Sequence, residues 1–295
     1  MTAFPGLGEL VTAAGILDVL HRLAVAVEPV DPSTRRLASG VRVRHETARA
    51  AATAGLRRRG QGALDPLLRQ ATPAGDRLVL RHGPAVRDQV VVRLDDTARR
   101  FVPRRFAVPL WTLVEVEAAD DAPGRPAGGP FVPAASRLLR PWLLPGSAYV
   151  VSRGTMGARF RVLLGGAGVR WPRVEAFTDG GIRSGWAHGD ERGEVLLVIH
   201  GPVVPTNEDT FRVRLAIRVH WPDPAQQPPP DPLDPLADLV VEPITRSAAP
   251  PSPSDLDNDT LRGITRPPRY LTVATDAIVT IPIGEVTRTA DIVIA

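Results

Sequence analysis

The chain has 295 residues, enough for two domains at about 150 residues each. Hydrophobic residues make up 43% and charged ones 23%, so most of the chain can bury a core and wholesale disorder is excluded. Cysteine is absent, which excludes disulfide frameworks, thiolate metal sites and cysteine nucleophiles; all 36 basic residues are arginine, yet the net charge is only +4 and they lie scattered among Asp and Glu, so no nucleic acid is expected as a partner.

In the segment 1–21, Leu7, Leu10, Val11, Ala14, Leu17 and Leu20 recur at three- and four-residue steps, which predicts a short N-terminal helix. The segment has no basic start and carries Glu9 within its first apolar stretch, unlike a secretory signal. The longest clean apolar run is Val195 to Ile199, far below the ~20 residues that cross a bilayer. The expectation is a soluble, cytoplasmic protein with no membrane span, free or within an assembled particle.

From residue 22 the period becomes two. Leu23, Val25 and Val27, then Val41 and Val43, then Val90, Val92 and Leu94, then Phe106, Val108 and Leu110 alternate with other residues, as in strands with one wet face. Turn signals such as Asp31-Pro32-Ser33 separate them, and residues 46–59 read as a helical or irregular insertion. Residues 22–118 therefore read as a first β-sandwich, followed by a linker at 119–130 rich in Gly and Pro. A second β-sandwich is expected over 131–221. It contains Phe160, Val162 and Leu164, then Val169 to Trp171, then Val195 to Ile199. It ends on Phe211, Val213, Leu215 and Ile217, all expected to point inward. Arg212, Arg214 and Arg218 alternate with them, so that face is either wet or meets an acidic partner.

Residues 222–295 change character. The run 222–236 holds seven prolines and favours extended polyproline II; at about 3.1 Å per residue it would reach roughly 45 Å. Leu239 to Val241 could add a small strand, and Tyr270 to Ala295 returns to β propensity. The expected fold class is mostly β: two β-sandwich domains, a short N-terminal helix and an extended Pro-rich C-terminal arm. On that arm Val273, Ile278, Ile281, Ile292 and Ile294 are the candidate partner-binding residues, with Pro282 at an edge or bend.

Two stretches carry a family likeness. Residues 23–44 give strand, Asp31-x-x-Thr34 turn, strand; residues 169–177 are followed by His188-Gly189-Asp190-Glu191-Arg192-Gly193 and an apolar strand. These resemble carboxypeptidase-regulatory-like modules, which implies transthyretin-like β-sandwiches. The chain departs from the family pattern at Gly189, where Thr is usual, and at Val195, where an aromatic is common. Segments 101–110 and 140–149 look similar to segments of bacterial two-module proteins of phage-tail-like contractile injection particles. The resemblance implies a subunit of such a particle.

Other constellations point nowhere specific. His188 and Glu191 match a His-x-x-Glu zinc pair, but two ligands do not make a site, and the only later histidines are His200 and His220. The Tyr-Arg-Gly-Ser signature of hydroxyisourate hydrolases, which share the transthyretin fold, is absent. Asp255, Asp257 and Asp259 resemble the opening of a calcium loop, but Thr260 and Arg266 replace its glycine and final glutamate. No phosphate-binding or nucleophile motif occurs. The reading is a non-enzymatic structural subunit of a large assembly, with other protein subunits as partners and no cofactor, metal or small-molecule ligand. The rival is a carbohydrate- or surface-binding module using Trp111, Trp142, Trp171, Trp186 and Trp221; an enzyme with an unrecognised site is the third reading.

Overall fold

The computed structural model describes residues 23–46, 71–73, 76–82, 88–120, 137–199, 211–225, 231–244 and 270–294. The protein is mostly β. In chain order come β1 (Leu23–Val27), β2 (Val30–Asp31), β3 (Arg36–Leu37), β4 (Arg42–Glu46), β5 (Ala71–Pro73), β6 (Leu78–Arg81) and β7 (Gln89–Asp95). Next are β8 (Phe101–Val102), β9 (Arg104–Pro109), helix α1 (Leu113–Asp120), β10 (Leu138–Leu139) and β11 (Leu144–Pro145). Then follow β12 (Gly157–Leu164), β13 (Ala167–Gly168), β14 (Arg173–Phe177), β15 (Arg183–His188), β16 (Glu194–Val198) and β17 (Arg212–Pro222). The last are β18 (Val241–Pro243), β19 (Tyr270–Pro282), β20 (Val286–Arg288) and β21 (Ile292–Ile294).

The chain divides into two units that are not sequential halves. The first takes Met1–Leu94, Phe106–Trp142 and Pro243–Asp259; the second takes Asp95–Arg105, Leu143–Glu242 and Thr260–Ala295. In the first, β1 is flanked by β6 and, in parallel, by β10, and Val25, Val27, Leu78 and Leu80 are buried. Helix α1 was not expected within 22–118. Its start is a capping box: the Glu115 amide donates to the Thr112 hydroxyl at 3.2 Å, and the Thr112 amide donates back to the Glu115 carboxylate at 2.8 Å. Among its described side chains, Val116 is fully buried.

In the second unit, one sheet is built on β12, which pairs antiparallel with β16 and β13 and in parallel with β20 and β21. The other has the order β15-β14-β17-β19. A single hydrophobic cluster draws on both: Phe160 and Val162 from β12, Leu197 from β16, Val174 from β14, Val213, Leu215 and Ile217 from β17, Ile281 from β19. Period two fixes which residues of β17 enter it. Two expected core residues do not. Phe211 stands in water at 66% exposure, because its φ of 47° places it in the turn before β17, where alternation has not begun. Leu164 is exposed at the end of β12, just before the Gly165-Gly166 turn.

The proline-rich stretch also departs from expectation. Of its described residues, 231–236, with 237–239 after them, make a succession of turns: Asp234 N–H donates to Asp231 O, Ala237 to Asp234 and Leu239 to Leu236. The side chains of Asp231 and Asp234 accept the amides of Leu233 and Leu236. Asp followed by Pro supplies both the side-chain acceptor and the preset φ that a turn needs, and twice repeated it folds the chain up instead of extending it. The expected N-terminal helix and the 46–59 insertion (beyond Glu46) lie outside the described residues.

Candidate docking face

Residues directly opposed on neighbouring strands share a face of the sheet. In the β15-β14-β17-β19 sheet, the face away from the core carries His188, Arg173 and His220 in one row, and Trp186, Glu175 and Arg218 in another.

The first row is covered by a buried ionic cluster. Arg104 is fully buried, and its Nη2 and Nε donate to the two oxygens of Glu242 at 2.6 and 3.3 Å. Arg173 Nη2 stands 3.4 Å from the same carboxylate, and its guanidinium lies 4.5 Å from the centre of the Tyr270 ring. Two guanidiniums thus share one carboxylate. Burial foremost, then the positive charges of Arg173 and Arg104, hold the His188 pKa well below its ordinary value, so the imidazole is neutral. Burial pushes the Tyr270 phenol up to about 12.

The second row is half open. His220 Nε2 lies 2.9 Å from Glu175 Oε2, Arg183 Nη1 is 3.3 Å from Oε1, and Arg218 Nη1 is 3.8 Å from Oε2. The hydrogen bond from His220, followed after the opposing effect of burial by the charges of His220 and Arg183, keeps the Glu175 carboxyl below the usual range. Arg218 lies over Phe177 at 4.6 Å from the ring centre. Further along, Arg212 and Arg214 are exposed. Of these arginines, Arg183 and Arg218 face the carboxylate of Glu175.

The sheet ends at β19, a strand of 13 residues; among the described residues no strand pairs with its far edge. The face and this edge meet at an apolar corner. Ile278 is opposite Ala216 and 53% exposed, and Ile283, which donates its amide to Phe211 O, is 40% exposed.

The candidate partner-binding residues are all placed on strands paired within their own chain. Ile281, Ile292 and Ile294 are in the core cluster, Ile278 is exposed, and Val273 is in register with Val219. The His188-x-x-Glu191 pair is split. His188 belongs to the covered row, while Glu191 is ion-paired with Arg99. Between them Asp190 accepts the amides of Arg192 and Glu194 at 2.9 and 3.0 Å, forming a turn closed by Gly193. Among the described residues no three His, Cys, Asp or Glu converge as a metal site. Also among them, no helix is long and apolar enough to cross a membrane. His200 and Asp255, Asp257 and Asp259 lie outside the described residues. Within the second unit Trp171 and Trp221 are buried, which leaves Trp186 half-buried on the face.

The arginines of β17 were readable in sequence. Their counterion Glu175 and the buried trio of Arg104, Arg173 and Glu242 were not. The one available hint was Glu242 standing in an apolar strand stretch, Leu239 to Val241. No family model, curated protein or solved structure matches the chain.

Proposed function

We propose that this chain is a non-enzymatic structural subunit of a larger protein assembly, built of β-sandwich modules and docking to its neighbours along the β19 edge. The observation that carries the reading is the 13-residue edge strand with Ile278 exposed on it. A long edge that no described strand pairs, with Ile278 exposed on it, invites pairing, and proteins normally cover or charge such an edge. The ionisable groups beside it support a structural role: His188 is held neutral, and Glu175 is engaged by three basic side chains. The particular assembly implied by the family likeness is a phage-tail-like contractile particle. The tail serves this reading as part of the docking sheet and not as a free arm.

The test is fractionation of the native host expressing either the unaltered chain or Ile278→Glu. Ile278 is exposed, so the variant is expected to keep its thermal midpoint and to leave the high-mass fraction. A variant that still sediments with the assembly refutes the docking reading.

A further inference from the structure

We propose that the row Trp186, Glu175 and Arg218, on the half-open part of the sheet face, is a saccharide-binding site that takes a neutral oligosaccharide. The inference goes beyond the docking reading above and uses none of its residues.

Three observations converge on it. The first is an aromatic ring held in place. Trp171 and Trp221 are buried, but Trp186 stands half-buried on the outward side of β15. Its indole meets the buried His188 imidazole in an edge contact, with ring centres 5.7 Å apart. The second is a set of polar groups fixed beside that ring. Arg183 donates to Glu175 Oε1 and His220 lies against Oε2, which orients the carboxylate. The Glu175 carboxyl is kept below the usual range, so it is ionised at neutral pH. An ionised carboxylate has about four acceptor sites, so it can still take hydroxyl protons. Arg183 and Arg218 are 41% and 47% exposed and carry further N–H donors. The third is dimension. Trp186 is directly opposite Glu175, and Glu175 is directly opposite Arg218. The row therefore spans two strand spacings, about 9.6 Å, the length of two pyranose rings.

The chemistry selects a sugar. A pyranose has an apolar C–H side and a rim of neighbouring hydroxyls that both donate and accept. An aromatic ring takes the C–H side, while Glu175 accepts from the rim and the guanidiniums donate to it. A wholly apolar ligand would desolvate the carboxylate without giving it a hydrogen bond. An acidic sugar would set its own carboxylate against Glu175, so the site favours a neutral one.

The test is isothermal titration of the full chain with cellohexaose, laminarihexaose and mannohexaose, and with hexagalacturonate as the acidic control. At least one neutral hexaose is expected to bind with a Kd below about 1 mM, at least about ten-fold more tightly than hexagalacturonate. Trp186→Ala and Glu175→Gln should each weaken that binding at least about ten-fold. Trp186→Phe keeps a stacking ring and should stay within about three-fold of the unaltered chain. Failure of all three neutral sugars to bind overturns the proposal, as does tighter binding of hexagalacturonate or binding that survives Trp186→Ala. If no sugar binds while Trp186→Ala removes the chain from the high-mass fraction, the face serves a protein neighbour and the saccharide proposal falls. Ile278→Glu leaves Trp186, Glu175 and Arg218 in place, so failure of edge docking and failure of this site are read separately.

Discussion

Arg104 and Glu242 stand 138 residues apart in the chain, yet their side chains meet at 2.6 Å with the guanidinium wholly out of water. Arg173 shares the same carboxylate. Removing that carboxylate leaves two buried cations without it, and breaking a buried pair from one side costs about 3–5 kcal/mol. Glu242→Leu is therefore expected to lower the unfolding free energy of the second unit by that amount, read as a lower urea midpoint at unchanged m. The double variant Arg104→Met/Glu242→Leu should lose less than the sum of its single changes, because it removes partner and charge together. Strict additivity in the double-mutant cycle would mean the two side chains do not act as a pair.

His188 makes stability depend on pH in a known direction. Its folded pKa is held well below the ordinary 6.5 by burial and by Arg173 and Arg104. Below pH 6.5 the unfolded chain takes up a proton that the folded chain refuses. Stability is thus full above that pH and falls as pH drops, by up to about 1.4 kcal/mol per pH unit. His82 shifts in the same direction through burial and Arg137, so the comparison needed is between unaltered protein and His188→Leu. Urea midpoints from pH 7.5 to 5 should fall more steeply in the unaltered chain. Parallel curves would show that His188 is protonated in the fold.

Glu175 acts in a lower window. Its pKa is depressed below 4.5, first by the hydrogen bond from His220, so its contribution is present above pH 4.5 and fades as pH falls through the folded value. Hydrogen bonds to a charged group contribute about 1.5–3 kcal/mol, and this one is partly open to water, so the lower end applies. Glu175→Gln is expected to cost about 1–2 kcal/mol at pH 7, with the gap closing toward pH 3. A gap independent of pH would assign the loss to packing instead of charge.

Local physics decides which of these features the sequence displays. β17 is legible because Val213, Leu215 and Ile217 alternate with arginines, and period two leaves one solution for a half-buried strand. Phe211 continues that alternation on paper but not in space, since its φ is positive and the pattern carries no sign of it. Helix α1 is only eight residues long; its legible mark was Thr112-x-x-Glu115, not its periodicity. The proline run misleads because counting prolines ignores what precedes them, and Asp231 and Asp234 turn the chain. Of the candidate face, the arginines were visible in β17. Glu175 and Glu242 come from other strands, and no local pattern encodes a partner that far along the chain.

The Asp190 to Gly193 turn gives a backbone test. Gly193 has φ 77°, and a Cβ there would stand 2.6 Å from Val162 O. Gly193→Ala therefore meets both a left-handed backbone penalty of about 1–2 kcal/mol and a clash with a strand that cannot retreat. A loss of at least about 2 kcal/mol is expected. Gly189 explains the departure from a Thr-Asp turn: its Cβ would meet Pro172 Cγ at 2.5 Å, so Gly189→Thr should destabilise as well. A neutral Gly189→Thr would show that Pro172 can move aside.

The tail offers the sharpest test of where the chain's own core ends. β19 pairs with β17 from Arg212↔Pro282 to Pro222↔Tyr270, and β21 lies beside β12 through Val162↔Ile292 and Leu164↔Ile294. Ile281, Ile292 and Ile294 are buried in the cluster that holds Phe160 and Leu215. Burying one such side chain contributes about 1.5–3 kcal/mol, so deleting residues 290–295, which removes Ile292 and Ile294, should cost about 3–6 kcal/mol. Arg161 also loses its partner Asp291, at 2.8 Å, but that pair is exposed and adds little. Leu215→Arg puts a charge into the same cluster and is expected to unfold the second unit. Cutting after Leu236 removes β18 to β21 and should do the same, read as loss of its thermal transition. If the chain cut after Leu236 keeps that transition, the tail is not part of this core, and its strands are free to complete the sheet of another subunit.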